Sequence, residues 1–169
     1  MNKTAIIIPS RLSAVRLPGK PLEIIKDKEM ILHVYEAAKK SNVGEVYVAT
    51  PDEMIIDVVE KSGGKALKTS INHQTGTDRV FEVFEKFLER TPEIIINLQG
   101  DMPNINPDSI KQLIDYMGNR KCEIATLGST LLTDEANDQD VVKVFTKEKI
   151  KDLSFVTVSD FDRKINIGH

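Results

Sequence analysis

Three basic side chains, Arg11, Arg16 and Lys20, occur close together near the start of the chain. They follow the apolar run at residues 6–8, and a short apolar run that opens into a loop is typical of a buried strand delivering its carboxyl end to a ligand site. Fixed positive charges on such a loop suit an anion that carries several phosphates. The spacing therefore predicts a polyphosphate site, and the alternative is an ordinary solvated basic loop.

The segment around Lys20 is stiffened by its own composition. Pro18, Gly19 and Pro21 flank the lysine, and the prolines restrict the backbone, which reduces the entropy lost when a long side chain is held against an anion. The chain has neither the G-x-x-x-x-G-K-[ST] nor the G-x-G-x-x-G phosphate-binding pattern. P-loop and dinucleotide-binding interpretations therefore lose their main support.

A carboxylate, Asp101, follows a second apolar run at residues 94–98. Gly100 allows the backbone to approach a ligand closely and Pro103 ends the strand, so Asp101 is presented at a sharp turn. Mg²⁺ takes one or two carboxylates and completes its shell with water and phosphate oxygens. The segment predicts a Mg²⁺ ligand, and the alternative is a turn aspartate that satisfies its own backbone.

A third polar segment runs from His73 into a predicted helix. Its backbone amides and hydroxyls, from Gly76 through Thr77 and Asp78 to Arg79, offer donors and acceptors to a base edge or a ribose. From the residues alone, an ordinary helix cap at Thr77 or Asp78 is equally well supported. A histidine in a polar loop is more often solvated than catalytic, so no proton transfer is assigned to His73.

Other combinations with chemical potential are weaker. The D-x-D pattern at residues 138–140 has the form that glycosyltransferases use to hold a metal, but it precedes an apolar run instead of following one, which favours a solvated connection. No G-x-S-x-G nucleophile elbow occurs. The single cysteine, Cys122, and three scattered histidines give no zinc signature.

The elements that must position these residues alternate between strand-like and amphipathic helical patterns. Strands are predicted at Thr4–Pro9, Glu45–Thr50, Ala66–Thr69, Ile94–Gln99 and Glu123–Leu127, and helices at Met30–Lys40, Glu53–Lys61, Asp78–Glu89 and Asp108–Met117. This alternation predicts an α/β fold with a mainly parallel sheet, right-handed crossovers and helices on both faces. Ligands of such sheets bind at the carboxyl ends of the strands.

Helix ends are predicted from capping residues. Asp52 and the pair at residues 107–108 are good helix openers, while the glycine pair at 63–64 and Gly118 are good stops.

Length and charge narrow the class of protein. The 169 residues fit a single domain, residues 1–169, and the 23 Lys and Arg nearly balance the 26 Asp and Glu, giving a net charge of −3. Nothing in this balance favours a nucleic acid partner. The apolar run before Pro9 is too short for a signal peptide or a membrane span, so we expect no membrane insertion and a cytoplasmic location.

Together these motifs resemble the cytidylyltransferases that activate acidic sugars, most closely the 3-deoxy-manno-octulosonate (KDO) cytidylyltransferase family. The resemblance rests on three segments: Pro9-Ser10-Arg11 with Arg16-Leu17-Pro18-Gly19-Lys20-Pro21-Leu22, His73-Gln74-Thr75-Gly76-Thr77-Asp78-Arg79, and Gln99-Gly100-Asp101-Met102-Pro103. It implies a three-layer, mainly parallel Rossmann-like sheet of the nucleotide-diphospho-sugar transferase type. It also implies transfer of CMP from CTP to KDO with release of pyrophosphate, for lipopolysaccharide biosynthesis.

The resemblance assigns roles residue by residue. Asp101 matches the Mg²⁺ ligand and Gln99 a residue close to the sugar, while Met102 stands where a glutamate is common. Arg11, Lys20 and Asp101 are implied to be catalytic. The implied nucleotide-binding residues are Pro9, Ser10, Arg11, Arg16, Lys20, Gly76, Thr77, Asp78 and Arg79.

The resemblance extends over roughly residues 5–144 and then fades. In the family, the part beyond carries a second metal-binding aspartate, most contacts to the sugar acid and much of the interface of a homodimer. Three hypotheses follow. The chain is a C-terminally truncated KDO cytidylyltransferase, a nucleotide-binding module without activity of its own, or a relative that acts on another acidic sugar such as sialic acid.

Overall fold

The computed structural model describes residues 4–13, 17–89, 91–120, 122–149, 151 and 155–164. Arg16, predicted to bind nucleotide, lies outside these residues. The chain divides into two compact units, residues 1–125 and 126–169. The single domain predicted for residues 1–169 stays a prediction.

Within its described residues, the first unit contains six strands and four helices. The strands are β1 (Thr4–Pro9), β2 (Ile24–Ile25), β3 (Lys28–Glu29), β4 (Glu45–Thr50), β5 (Ala66–Lys68) and β6 (Ile94–Asn97). The helices are α1 (Met30–Ser41), α2 (Glu53–Lys61), α3 (Gly76–Lys86) and α4 (Pro107–Arg120), and a single 3-10 turn spans Lys20–Leu22. The four predicted helices and four of the five predicted strands are confirmed, with small changes at their ends.

The main sheet has the strand order β5-β4-β1-β6, and each of its pairings is parallel. β2 and β3 form a separate two-stranded antiparallel ribbon. Parallel neighbours that are not consecutive in the chain require crossover connections, which the helices supply. The predicted α/β class with a parallel sheet is confirmed.

Strand β1 lies at the centre of the core, and its side chains alternate between the two faces of the sheet. Ile6 and Ile8 are fully buried in a cluster that includes Ile31 of α1, whereas Ile7 packs on the opposite face with Val80 of α3. A strand covered on both faces reads as a continuous apolar run, as residues 6–8 do. Helices on both faces give the three-layer arrangement.

The strand predicted at residues 123–127 is wrong. These residues form no strand, and the side chain of Ile124 is 90% exposed. An apolar run becomes a strand only where a neighbouring strand accepts its backbone hydrogen bonds. The apolar run at residues 123–127 was therefore not sufficient evidence for a strand.

Three of the four predicted helix ends lie where the sequence places them. Gly63 follows α2 with a φ of 74°, the left-handed conformation that a glycine stop supplies, and α4 begins at Pro107. Gly118 is not a stop, because α4 continues to Arg120. Asp52 sits at the N-cap of α2, yet its carboxylate makes no capping bond and accepts the backbone N–H of Leu12 at 2.8 Å.

The second unit contains the antiparallel hairpin β7 (Lys143–Thr146) and β8 (Val158–Asp162), preceded by a 3-10 turn at Glu135–Asn137. The D-x-D residues 138–140 are exposed, and Asp138 Oδ1 accepts the backbone N–H of Asp140 at 2.8 Å. This is a solvated turn, as the sequence predicts. Within the described parts of both units, no helix has the length and apolar character needed to cross a membrane.

Candidate functional site

A cavity of about 300 Å³ lies in the first unit, where the segments that follow β1 and β6 meet the start of α3. The basic segment contributes Pro9, Ser10, Arg11 and Lys20 to its wall. These residues come from the carboxyl end of the most buried strand, where the sheet topology places a ligand.

The other two predicted segments line the same cavity. Gly76 and Arg79 reach it from α3, and Gln99 and Asp101 from the end of β6. Residues separated by up to 92 positions in the chain therefore share one wall. Of the eleven predicted site residues, ten are described by the structure, and it brings together eight of these: Pro9, Ser10, Arg11, Lys20, Gly76, Arg79, Gln99 and Asp101.

Thr77 and Asp78 do not line the cavity. Thr77 Oγ1 accepts the side-chain amide of Asn97 at 3.3 Å. Asp78 completes a capping box with Thr75, which is the N-cap of α3. Hydrogen bonds from the Thr75 side chain and backbone lower the pKa of Asp78. The helix-cap alternative thus describes Asp78, although the N-cap itself is Thr75, and nucleotide binding by Thr77 and Asp78 stays a prediction.

Close backbone approaches at two glycines allow the three segments to converge. A Cβ on Gly100 would lie 2.9 Å from the carbonyl oxygen of Pro9, and a Cβ on Gly76 would lie 3.2 Å from Cγ of the same proline. Contacts under 3.0 Å to backbone atoms force a shift in the chain. Pro9 is therefore the point against which both other segments pack.

Lys20 and Asp101, the predicted phosphate and metal ligands, contact each other directly. Lys20 Nζ donates to Asp101 Oδ2 at 3.1 Å, and the two side chains are 39% and 56% exposed. An exposed ion pair of this kind contributes about 0–1 kcal/mol to stability. Both groups therefore lie beside the cavity, and a ligand that binds between them breaks an ion pair that contributes little to stability.

Ser10 has a buried hydroxyl. Its backbone N–H donates to the carbonyl of Ala49 at 2.9 Å, but among the described residues its Oγ finds no hydrogen-bond partner. A buried hydroxyl without a partner costs roughly 1–3 kcal/mol. Such a cost in the wall of a cavity is typical of a functional site, since a structural role would favour alanine.

Arg79 is only 3% exposed, and its guanidinium holds the loop after β5. Its Nη1 donates to Thr69 Oγ1 and, at 2.9 Å, to the carbonyl of Ser70. Burial lowers the pKa of Arg79, and the charge of Arg11 lowers it further. Arg79, which the sequence predicts to bind nucleotide, therefore also holds the loop after β5 in place. Its position in a polar segment did not reveal this role.

Glu82, one turn further along α3, was missed by the sequence analysis. It is 8% exposed, and its Oε2 accepts the backbone N–H of Ser70 at 2.8 Å and His73 Nε2 at 2.5 Å, while Oε1 accepts Lys86 Nζ at 3.1 Å. Burial by itself would raise the pKa of Glu82, but these hydrogen bonds outweigh it and lower the pKa to about 2. Its position three residues after Arg79, on one face of a helix, was the available signal.

Asp101 is compatible with Mg²⁺ only as part of a shared site. Within the described residues, no group of three or more His, Cys, Asp or Glu side chains could hold a metal by itself. A single exposed carboxylate beside a cavity lined by basic side chains fits an ion whose remaining ligands are phosphate oxygens and water.

The sequence model of a family described as cytidylyltransferase matches residues 5–165. The chain belongs to the cytidylyltransferase family. This confirms the family that the three segments indicated.

Two cytidylyltransferases illustrate the similarity. The 3-deoxy-manno-octulosonate cytidylyltransferase of Thermodesulfovibrio yellowstonii is 45% identical over 148 residues, which cover 83% of this chain. The enzyme of the same name from Haemophilus influenzae (strain ATCC 51907 / DSM 11121 / KW20 / Rd) is 41% identical over 142 residues, again covering 83% of the chain. The chain spans 58% and 56% of the lengths of these two relatives.

A solved structure is also similar, that of a CMP:2-keto-3-deoxy-manno-octonic acid synthetase in complex with CTP. The TM-score is 0.78 at 36% identity, and the match covers 95% of this chain and 64% of that one. This likeness confirms the α/β fold class of the nucleotidyltransferases.

Proposed function

We propose that this chain binds CTP and belongs to an enzyme that transfers CMP from CTP to KDO with release of pyrophosphate. The observation that carries the proposal is the cavity in which the basic segment, the start of α3 and Asp101 share one wall. KDO is proposed as the acceptor because the relatives and the solved structure are named for it. The step would serve lipopolysaccharide biosynthesis.

Positioning and charge neutralisation are the tasks that this arrangement suits. Arg11 and Lys20 would bind the triphosphate and stabilise the charge that develops on the leaving pyrophosphate, through charge-assisted hydrogen bonds. The anomeric hydroxyl of the sugar would attack the α-phosphorus in line, so no covalent enzyme intermediate is required. Gln99, in the same wall, is proposed to lie beside the sugar.

Asp101 would hold Mg²⁺ together with the phosphates. When bound, the ion would neutralise phosphate charge and orient the nucleotide. The carboxylate of Asp101 would then release the ammonium of Lys20 in order to bind the metal, and Lys20 would become available to the phosphates. A homodimer and a cytoplasmic location, which the resemblance and the sequence suggested, are part of the same proposal.

Release of pyrophosphate from CTP tests the proposal. With Mg²⁺ present, we expect release that requires KDO and that falls by at least about 100-fold in Asp101→Asn, since a carboxylate that holds the metal acts on the transition state. Asp108→Asn, an exposed aspartate on α4, is the matched control. A folded chain that binds CTP but releases nothing would favour a nucleotide-binding module without activity of its own, and faster release with sialic acid would overturn KDO as acceptor.

A further inference from the structure

We propose that Glu82 is a positioning residue for the nucleotide cavity: from α3 its carboxylate holds in place His73, which lines the cavity, and the loop at residues 69–73 that carries this histidine. The inference rests on the proposed function, because the ligand served by this wall is CTP. Glu82 does not line the cavity, so it acts through His73.

The contacts of Glu82 fix the loop at two points. Its Oε2 accepts both the backbone N–H of Ser70, at 2.8 Å, and His73 Nε2, at 2.5 Å. Arg79 holds the same loop through the carbonyl of Ser70 at 2.9 Å. Two charged side chains on one face of α3, both less than 10% exposed, therefore bind the backbone of the same residue. Glu82 accepts the N–H of Ser70, and Arg79 donates to its carbonyl.

The carboxylate of Glu82 also determines which ring nitrogen of His73 donates a hydrogen bond. Glu82 is ionised at neutral pH and an ionised carboxylate only accepts hydrogen bonds, so Nε2 of His73 must carry the proton of this hydrogen bond. The imidazole of His73 lines the cavity with Nε2 held in this way. Removing the charge of Glu82 would weaken this hydrogen bond and release the ring position.

The held loop leads directly into the part of α3 that meets the other segments. Thr75 and Gly76 follow His73 within three residues and line the cavity, and Gly76 lies against Pro9 and within reach of Gln99 Oε1. The loop cannot shift without moving the start of α3. Glu82 thus stabilises the cavity wall without lining it, through its contact with His73.

The test is a double-mutant cycle on CTP affinity, measured by calorimetry on the folded full chain with Mg²⁺. His73→Ala is expected to weaken CTP binding about fivefold, the usual worth of one hydrogen bond. Glu82→Ala should weaken it at least as much. Glu82→Gln should restore part of the loss, since the amide oxygen still accepts but without charge assistance. Because Glu82 acts through His73, the double variant Glu82→Ala/His73→Ala should bind no more weakly than the weaker single variant.

Glu85→Gln, an exposed glutamate of the same helix, is the matched control and should bind CTP as the unchanged chain does. Amide exchange at Ser70 gives a readout that needs no nucleotide, and it should accelerate in Glu82→Ala. Faster exchange with unchanged CTP affinity, or additive losses in the cycle, would overturn the positioning role. A folded unchanged chain that does not bind CTP would overturn the proposed function itself, and with it the ligand named here.

Discussion

Replacing Lys20 with alanine is expected to remove most of the thermal stabilisation that CTP and Mg²⁺ give the chain. A ligand at 100 times its dissociation constant stabilises a protein by about 2.7 kcal/mol. A hydrogen bond to a charged group is worth about 1.5–3 kcal/mol, so losing the Lys20 ammonium should weaken CTP binding roughly 10- to 100-fold. The measurement is the melting temperature with and without the nucleotide.

The variant should fold normally, because the ion pair of Lys20 with Asp101 is exposed. Lys61→Ala is the matched control: it removes the same charge from another exposed ion pair, with Asp57 at the end of α2. We expect Lys61→Ala to retain the full CTP-dependent shift. An equal shift in Lys20→Ala would show that Lys20 does not bind the phosphates.

Gly100→Ala is expected to destabilise the protein and to abolish CTP binding together. The added Cβ would lie 2.9 Å from the carbonyl oxygen of Pro9, a backbone atom in the cavity wall. Overpacking of this kind costs about 1–3 kcal/mol, here by separating the loop after β6 from the loop after β1. Denaturant unfolding measures the first effect and calorimetric titration of the folded variant measures the second.

Gly118→Ala is the control for this substitution. Gly118 lies inside α4, nothing lies within 4 Å of the position that its Cβ would take, and alanine in a helix interior is favoured over glycine by about 0.5–1 kcal/mol. The control should therefore be neutral or slightly more stable and should bind CTP normally. If Gly100→Ala behaved like Gly118→Ala, the close packing of Pro9 and Gly100 would not shape the site.

The site could be located from the sequence because its main determinants are local. The buried run at residues 6–8 predicts a central parallel strand, and the carboxyl-end rule then brings Lys20 and Asp101 to one edge of the sheet. The proline at residue 9 correctly marked the end of β1, whereas β6 ends at Asn97, two residues before the predicted end at Gln99. These inferences need only hydrophobic periodicity and a topology rule.

The network behind the cavity could not be predicted in the same way. The partners of Glu82 and Arg79 depend on how residues 69–73 fold back onto α3, and backbone acceptors such as the carbonyl of Ser70 leave no trace in a sequence pattern. Asp52 shows the same limit, since its position promised a helix cap and its carboxylate instead accepts the N–H of Leu12. Local propensity does not reveal which of several possible hydrogen-bond partners a carboxylate takes in the folded chain.

Titration of the chain with CTP, ATP and GTP in the presence of Mg²⁺ tests the central claim most directly. The cavity formed by the basic segment, the start of α3 and Asp101 should bind CTP more tightly than either purine nucleotide, and Lys20→Ala should weaken the binding of all three because they share the triphosphate. Equal affinity for all three nucleotides, or no binding of CTP by the folded chain, would contradict the assignment of this cavity as a CTP site.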